Sequence, residues 1–150
     1  MIKRSAGLLL YRTTKGFLEV FLVHPGGPFF AKKDLGSWSI PKGEIETEDP
    51  LAAARREFKE ETGFDIAGDF VELSPIKQKG GKFVYAWAVE ADLDPSKIKS
   101  NTFTLEWPPK TGRINEYPEV DRGEWFSVEA ARQKILPSQA ELISDLLNKL

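Results

Sequence analysis

Three glutamates, Glu57, Glu60 and Glu61, stand just before Gly63 in the segment GEIETEDPLAAARREFKEETGF, which runs from Gly43 to Phe64. Asp49 is placed to cap a helix, Pro50 suits its first position, good helix formers fill the span to Thr62, and Gly63 suits a left-handed stop. At roughly 100° per residue the three glutamates share an arc of about 100°, with Leu51, Ala54 and Phe58 on the opposite, core-facing side. Like charges at i, i+3 and i+4 repel by a few tenths of a kcal/mol per pair. A hard, oxygen-loving divalent cation such as Mg²⁺ removes that conflict and bridges readily to phosphate oxygens, so the pattern predicts a metal site for phosphate chemistry. Arg56, four residues before Glu60, is placed to brace that carboxylate by an ion pair.

The elements around this helix read as one domain over residues 1–150, long enough to bury about two-thirds of its unfolded surface. Ser5–Tyr11 and Leu18–Val23 are strand-like runs across a Thr13–Gly16 turn, and Trp38–Pro41 is a short extended stretch behind a Gly- and Pro-rich loop. Phe70–Lys77, Lys82–Ala91 and Ser100–Trp107 are further strand candidates; Lys110–Gly123 reads as loop and Glu124–Ser127 as a closing strand. Ser127 can cap one short helix. Ser138-Gln139-Ala140-Glu141 has the form of a capping box for a last helix, whose apolar side is Leu142, Ile143, Leu146 and Leu147. Mixed strands with few helices predict an α/β sandwich.

Composition narrows the function. With 21 basic and 23 acidic residues the net charge is −2, which gives no basic field for coating nucleic acid and predicts no stable nucleic-acid partner. Cysteine is absent, so disulfides, thiolate metal sites and cysteine nucleophiles are excluded together, and a reducing, cytoplasmic setting is expected. The opening MIKRSAGLLLYR reads as a strand and not a signal peptide, and no run reaches membrane-spanning length. The loop Pro25–Gly36 lacks the Lys-Ser/Thr ending of a P-loop.

Arg56-Glu57-Phe58-Lys59-Glu60-Glu61-Thr62-Gly63-Phe64 matches the second half of the Nudix box, G-x5-E-x7-R-E-U-x-E-E-x-G-U, where U is bulky and apolar. The first half departs by one residue: the leading glutamate falls at Glu48, but Gly43 stands one position too near to it. Trp38-Ser39-Ile40-Pro41-Lys42-Gly43 resembles the W-x-x-P-K-G segment of the diadenosine-polyphosphate branch, and the closing Trp125-Phe126 is also Nudix-like. The resemblance implies a Nudix-type α/β/α sandwich with a mixed β-sheet, and hydrolysis of a nucleoside diphosphate linked to another moiety. It implies Mg²⁺ as cofactor, with Mn²⁺ an acceptable substitute, and a nucleotide or dinucleoside polyphosphate as substrate. Glu57, Glu60 and Glu61 are then the expected ligands, joined by the backbone carbonyl of Gly43 if the shortened loop still brings it close.

Liganding carboxylates are poor bases, so a base from outside the box is expected. Glu119, six residues before Trp125, is the first candidate, with Glu116 and Asp121 as competitors. Lys42, Lys79 and Lys82 are candidate phosphate contacts, as is Arg4 ahead of the first strand. Trp38 and Tyr85 are candidates for stacking on a nucleobase, whereas Trp87 and Trp125 read as core. His24, the single histidine, reads as a structural hydrogen-bonding residue. Two other functions compete with the hydrolysis of small nucleotides: removal of pyrophosphate from RNA 5′ ends, and nucleotide sensing without hydrolysis.

Overall fold

The computed structural model describes residues 3–150, apart from the side chain of Lys79. Arg4–Thr14 (β1) and Phe17–Pro25 (β2) form an antiparallel hairpin with Tyr11 opposite Val20. Nearer its start β1 leaves β2, and Lys42–Glu44 (β3) takes the vacated edge, with Ala6 opposite Gly43. The preceding stretch continues this wedge, through a Val23–Ser39 bridge on one side and a hydrogen bond from Leu8 N–H to Pro41 O on the other.

On its other edge β1 runs parallel to Phe83–Glu90 (β6), which is flanked by the short strands Val71–Glu72 (β4) and Ile76–Lys77 (β5). Val120–Ser127 (β9) closes the far side against β2, giving a mixed seven-stranded sheet of main order β4-β6-β1-β2-β9. Thr102–Glu106 (β7) and Ile114–Pro118 (β8) form a separate two-stranded ribbon.

Both faces of the sheet are covered, which is why β1 reads Ala-Gly-Leu-Leu-Leu without alternation. Leu8, Leu10 and Phe21 pack with Ala53, Ala54 and Phe58 of the helix Pro50–Thr62 (α1). Leu9, Leu22 and Ala86 face the other layer, built by Ile135, Leu142, Ile143 and Leu146 around Val128–Lys134 (α2) and Ala140–Lys149 (α3). The expected α/β/α sandwich is the observed one. No helix among the described residues is long and apolar enough to cross a membrane.

Helix α1 has the predicted ends. The Asp49 carboxylate accepts from Leu51 N–H and Ala52 N–H, and Gly63 takes φ 81° while donating to Lys59 O. Its last carbonyls are also met by the following chain, Lys99 N–H on Thr62 O and Asn101 N–H on Glu60 O.

Three local expectations are corrected. Phe70–Lys77 is not one strand, because Leu73-Ser74-Pro75 separates β4 from β5. Lys110–Gly123 holds β8 and the start of β9; the exposed ribbon Ile-Asn-Glu-Tyr-Pro lacks the apolar alternation that marks a half-buried strand. No capping box forms before α3, because Ser138 Oγ accepts from Gln78 Nε2 and Pro137–Gln139 makes a 3₁₀ turn.

Candidate active site

The wedge between β1 and β2 delivers Gly43 against the last turns of α1. A Cβ built on Gly43 would collide with the Glu57 carboxylate where it lies, so the glycine lets that carboxylate rest against the backbone. The one-residue shortening therefore leaves Gly43 beside the glutamate it was expected to accompany. Arg56 braces more than Glu60: its guanidinium donates to Glu48 at 2.8 Å, Glu57 at 2.8 Å, Glu60 at 3.2 Å and the Glu44 carbonyl at 3.1 Å. A single cation thus ties the loop before the helix to two of the three carboxylates, and Glu48 emerges as its strongest partner.

The helix face is not uniformly solvated. The Glu60 side chain is 39% exposed and that of Glu57 13%, while Glu61 as a residue is only 9% exposed. Burial, then the nearby Glu57 charge, pushes the Glu61 carboxyl up to about 9 despite Lys42 and its backbone N–H, which act the other way. Burial also raises Glu57, against the pull of Arg56 and with the help of Glu60 and Glu119. Lys42 sits beside these carboxylates; burial lowers its affinity for the proton, Glu61 restores part of it, and the charge of Lys82 opposes it.

Glu119 occupies the single residue between β8 and β9 and is held by backbone on both sides: its N–H donates to Asn101 O at 2.8 Å and its carbonyl accepts from Gly26 N–H at 2.9 Å. Its side chain is exposed, its charge acts on both Glu57 and Glu61, and it lines one pocket with Glu61 and Lys42. Its two competitors are differently placed. Asp121 pairs with His24 Nδ1 at 2.8 Å, and Glu116 lies out on the ribbon opposite Thr104. His24 is fully buried and its Nε2 donates to Lys33 O at 2.7 Å, the structural role expected of it.

Trp38 does not offer a face to a nucleobase. It is 1% exposed, donates through Nε1 to Asp34 Oδ1 at 2.8 Å, and packs edge-on with Phe126 and His24 at 4.9 and 5.2 Å between centroids. The wedge that carries Lys42 to the site also buries this indole in the sheet, a placement its neighbours in sequence do not reveal. Trp87 and Trp125 are half-buried against the α1-side core. Tyr85 is half-buried on β6 opposite Ala6, and Arg4 is exposed at the start of β1 opposite Phe83. Lys82 is exposed just before β6; the Lys79 side chain lies outside the described residues.

Sequence reasoning missed Glu48 as the principal partner of Arg56 and the pocket beside Glu61. Glu48 stood at the motif's leading glutamate, so a signal was present. The pocket is assembled from segments far apart in the chain and had none.

As the side chains stand, no three His, Cys, Asp or Glu groups among the described residues converge closely enough to hold an ion. Arg56 draws Glu57 and Glu60 to itself, while Glu61 lies in the pocket beside Lys42. The chemistry of the donors nevertheless fits a hard divalent cation: all are carboxylate oxygens, and Glu57 and Glu61 carry raised proton affinities that a nearby cation would relieve.

A mixed sheet between helices, with an Arg-braced row of glutamates at the end of one helix, is a scaffold for phosphoanhydride hydrolysis. The chain belongs to the Nudix family, whose NUDIX domain model matches residues 1–146, and it is a hydrolase of that family's pyrophosphohydrolase type. Solved structures agree in fold. The Ap4A hydrolase of C. elegans, in a binary complex, is 22% identical with a TM-score of 0.70 over 99% of this chain and 97% of its own. The NUDIX domain of Shewanella oneidensis NrtR, complexed with ADP ribose, is 13% identical with a TM-score of 0.68 over 99% and 88%. The E. coli ORF135 protein is 18% identical with a TM-score of 0.60 over 98% and 91%. No curated protein matches the sequence.

Proposed function

We propose that this protein is a Mg²⁺-dependent pyrophosphohydrolase of a dinucleoside polyphosphate or a nucleoside triphosphate. One observation carries the reading: Glu57, Glu60 and the buried Glu61 share a helix end, and Glu61 opens into a pocket that also holds Lys42 and Glu119. Glu57, Glu60 and Glu61 would hold the cation, which supplies neutralisation of phosphoryl charge and acidification of bound water. Arg56 fixes Glu57 and Glu60 in orientation and stays charged throughout. Lys42, with the exposed Lys82 near enough for its charge to be felt, presents positive charge to the phosphate chain. Glu119 is exposed and free of the Arg56 network, so it is the carboxylate placed to take a proton from the attacking water. The water oxygen bonds to phosphorus as the anhydride P–O bond breaks, and the leaving phosphate carries off the electron pair.

The intact carboxylate set favours hydrolysis over sensing, since a pure binder has no need of all three. A nucleotide substrate is supported by the ADP ribose held in the similar NrtR domain and by the likeness to Ap4A hydrolase. The test is a screen of phosphoanhydride compounds with Mg²⁺, with product identification and solvent ¹⁸O labelling. Asymmetric cleavage of diadenosine tetraphosphate with release of ATP is the expected result. Two equal ADP halves would overturn the placement of the cluster at one end of the chain, and failure on every phosphoanhydride would overturn the function.

A further inference from the structure

The pocket that opens at Lys42, Glu61 and Glu119 has a volume of about 230 Å³. That is below the roughly 300–1,000 Å³ of pockets that enclose whole small ligands, so it takes one part of a substrate. Beyond Lys42, Glu61 and Glu119 its lining is mostly apolar, Val23, Pro25, Phe30, Ile40, Val120 and Leu136, with Ser37 and Ser39 among them. A phosphate chain would lose its water there without compensation. A sugar or other polyol carries more hydroxyls than the two serines of this pocket can partner. A flat, largely apolar ring is the group that fits.

Two serines decide the polarity of the interior, and both have their hydrogens committed to the protein. Ser37 Oγ donates to Asp34 O at 2.6 Å, and Ser39 Oγ donates to Ile40 O at 2.7 Å. Gln139, which is fully buried, holds the Ser39 hydroxyl as well: its Oε1 accepts from Ile40 N–H at 3.1 Å and is a second acceptor for the Ser39 hydrogen at 3.3 Å, and its Nε2 donates to Ser39 Oγ at 3.0 Å. With its hydrogen donated within the protein, each hydroxyl has acceptor capacity left for a ligand and no hydrogen to give. The uncommitted donor among the side chains that line the pocket is Lys42, and it stands at the mouth with the carboxylates.

We infer that this pocket receives the nucleobase of the substrate through an edge that carries an amino group, as adenine and cytosine have and hypoxanthine and uracil lack. An exocyclic amine donates to the serine lone pairs; a keto oxygen in the same place meets them acceptor to acceptor. The inference rests on the nucleotide-hydrolase reading, because the group in the pocket must be tethered to phosphates held at Lys42.

AMP and IMP differ along one base edge, a 6-amino group beside an acceptor N1 in AMP against a 6-keto oxygen beside an N1–H in IMP, and neither has a phosphoanhydride to hydrolyse, so binding can be measured apart from turnover. In Mg²⁺ buffer, calorimetric or NMR titration should show AMP bound at least about tenfold tighter than either IMP or inorganic phosphate. Replacing both hydroxyls, Ser37→Ala with Ser39→Ala, should bring AMP and IMP to within about threefold of each other. Leu136→Trp should fill the pocket and lower AMP affinity to that of inorganic phosphate. Equal binding of AMP and IMP by the unaltered protein would overturn the inference, without recourse to any variant. So would a preference undiminished in the folded double variant, or AMP affinity retained in Leu136→Trp. Discrimination between AMP and IMP by a protein that hydrolyses no phosphoanhydride would uphold the pocket and reject the proposed reaction alone.

Discussion

Glu61 shows how position decides the chemistry of a carboxylate. Glu60, one residue earlier, remains in contact with water, whereas Glu61 lies beneath Lys42 with its proton affinity pushed up to about 9. A folded value above the unfolded one means that between about pH 4.5 and 9 the folded chain keeps a proton that the unfolded chain has released. Unfolding then releases that proton, so the stability it confers is complete below about pH 4.5 and is lost as pH rises towards 9. In metal-free buffer the melting temperature should fall across this window, and Glu61→Gln should flatten the slope. An equal slope in both proteins would remove Glu61 as its source. With metal and substrate present, Glu60→Gln or Glu61→Gln should reduce kcat by at least about a hundredfold, roughly 2.7 kcal/mol in the barrier, while the cooperative melt persists. Loss of the melt would instead assign these residues to structure. Glu119→Gln should lower kcat with little change in KM, because it acts on the water and not on bound phosphates. Near-normal turnover would reject it and turn attention to Glu116 or to a helix carboxylate.

At the scale of elements, the site depends on how the chain between β2 and α1 is held. His24 at the end of β2 reaches Lys33 O across the loop and Asp121 on β9, so one buried ring fastens both segments that line the pocket entrance. His24→Ala should leave a cavity and an unpaired Asp121, costing about 2–4 kcal/mol in denaturant unfolding. An unchanged midpoint would show that the loop is held by its other contacts, such as the Asp34–Lys134 ion pair or the Ser37 hydroxyl. The same loop fixes the serines of the proposed base pocket, so the strap and the specificity it supports belong to one element.

For the molecule as a whole, net charge is close to balance, and anion binding must arise from local groups. With Glu61 ionised, as metal binding requires, Lys42 and Lys82 do not offset the three carboxylates and the phosphates together, and a cation must join them. Activity should therefore require added divalent metal and vanish with a chelator. Metal should also raise the melting temperature most at alkaline pH, where the folded carboxylates have given up their protons. Full turnover in metal-free buffer would reject the mechanism.

The sequence by itself determined helix α1 with both its ends, the row of glutamates, the bracing arginine and the sandwich class. Each follows from contacts within a few residues or from periodicity, and caps, i to i+4 pairs and apolar stripes are local physics. It also placed Glu119 in a loop near Trp125, through resemblance and not through geometry. Only the tertiary structure decided the rest. Trp38 turned out to be core, because the wedge between β1 and β2 buries its ring while its neighbour Lys42 stays at the pocket mouth. Glu61 turned out to be buried, because the same wedge covers one edge of a helix face whose sequence looks evenly charged. Strand β7 falls within the expected Ser100–Trp107, but its partner β8 escaped notice, because an exposed strand has no buried face to impose alternation. The pocket is closed by residues from Val23 to Leu136, and its polarity is set by Gln139, a hundred positions from Ser39. Burial and long-range hydrogen bonding depend on which distant segments meet, and a linear pattern does not record that meeting.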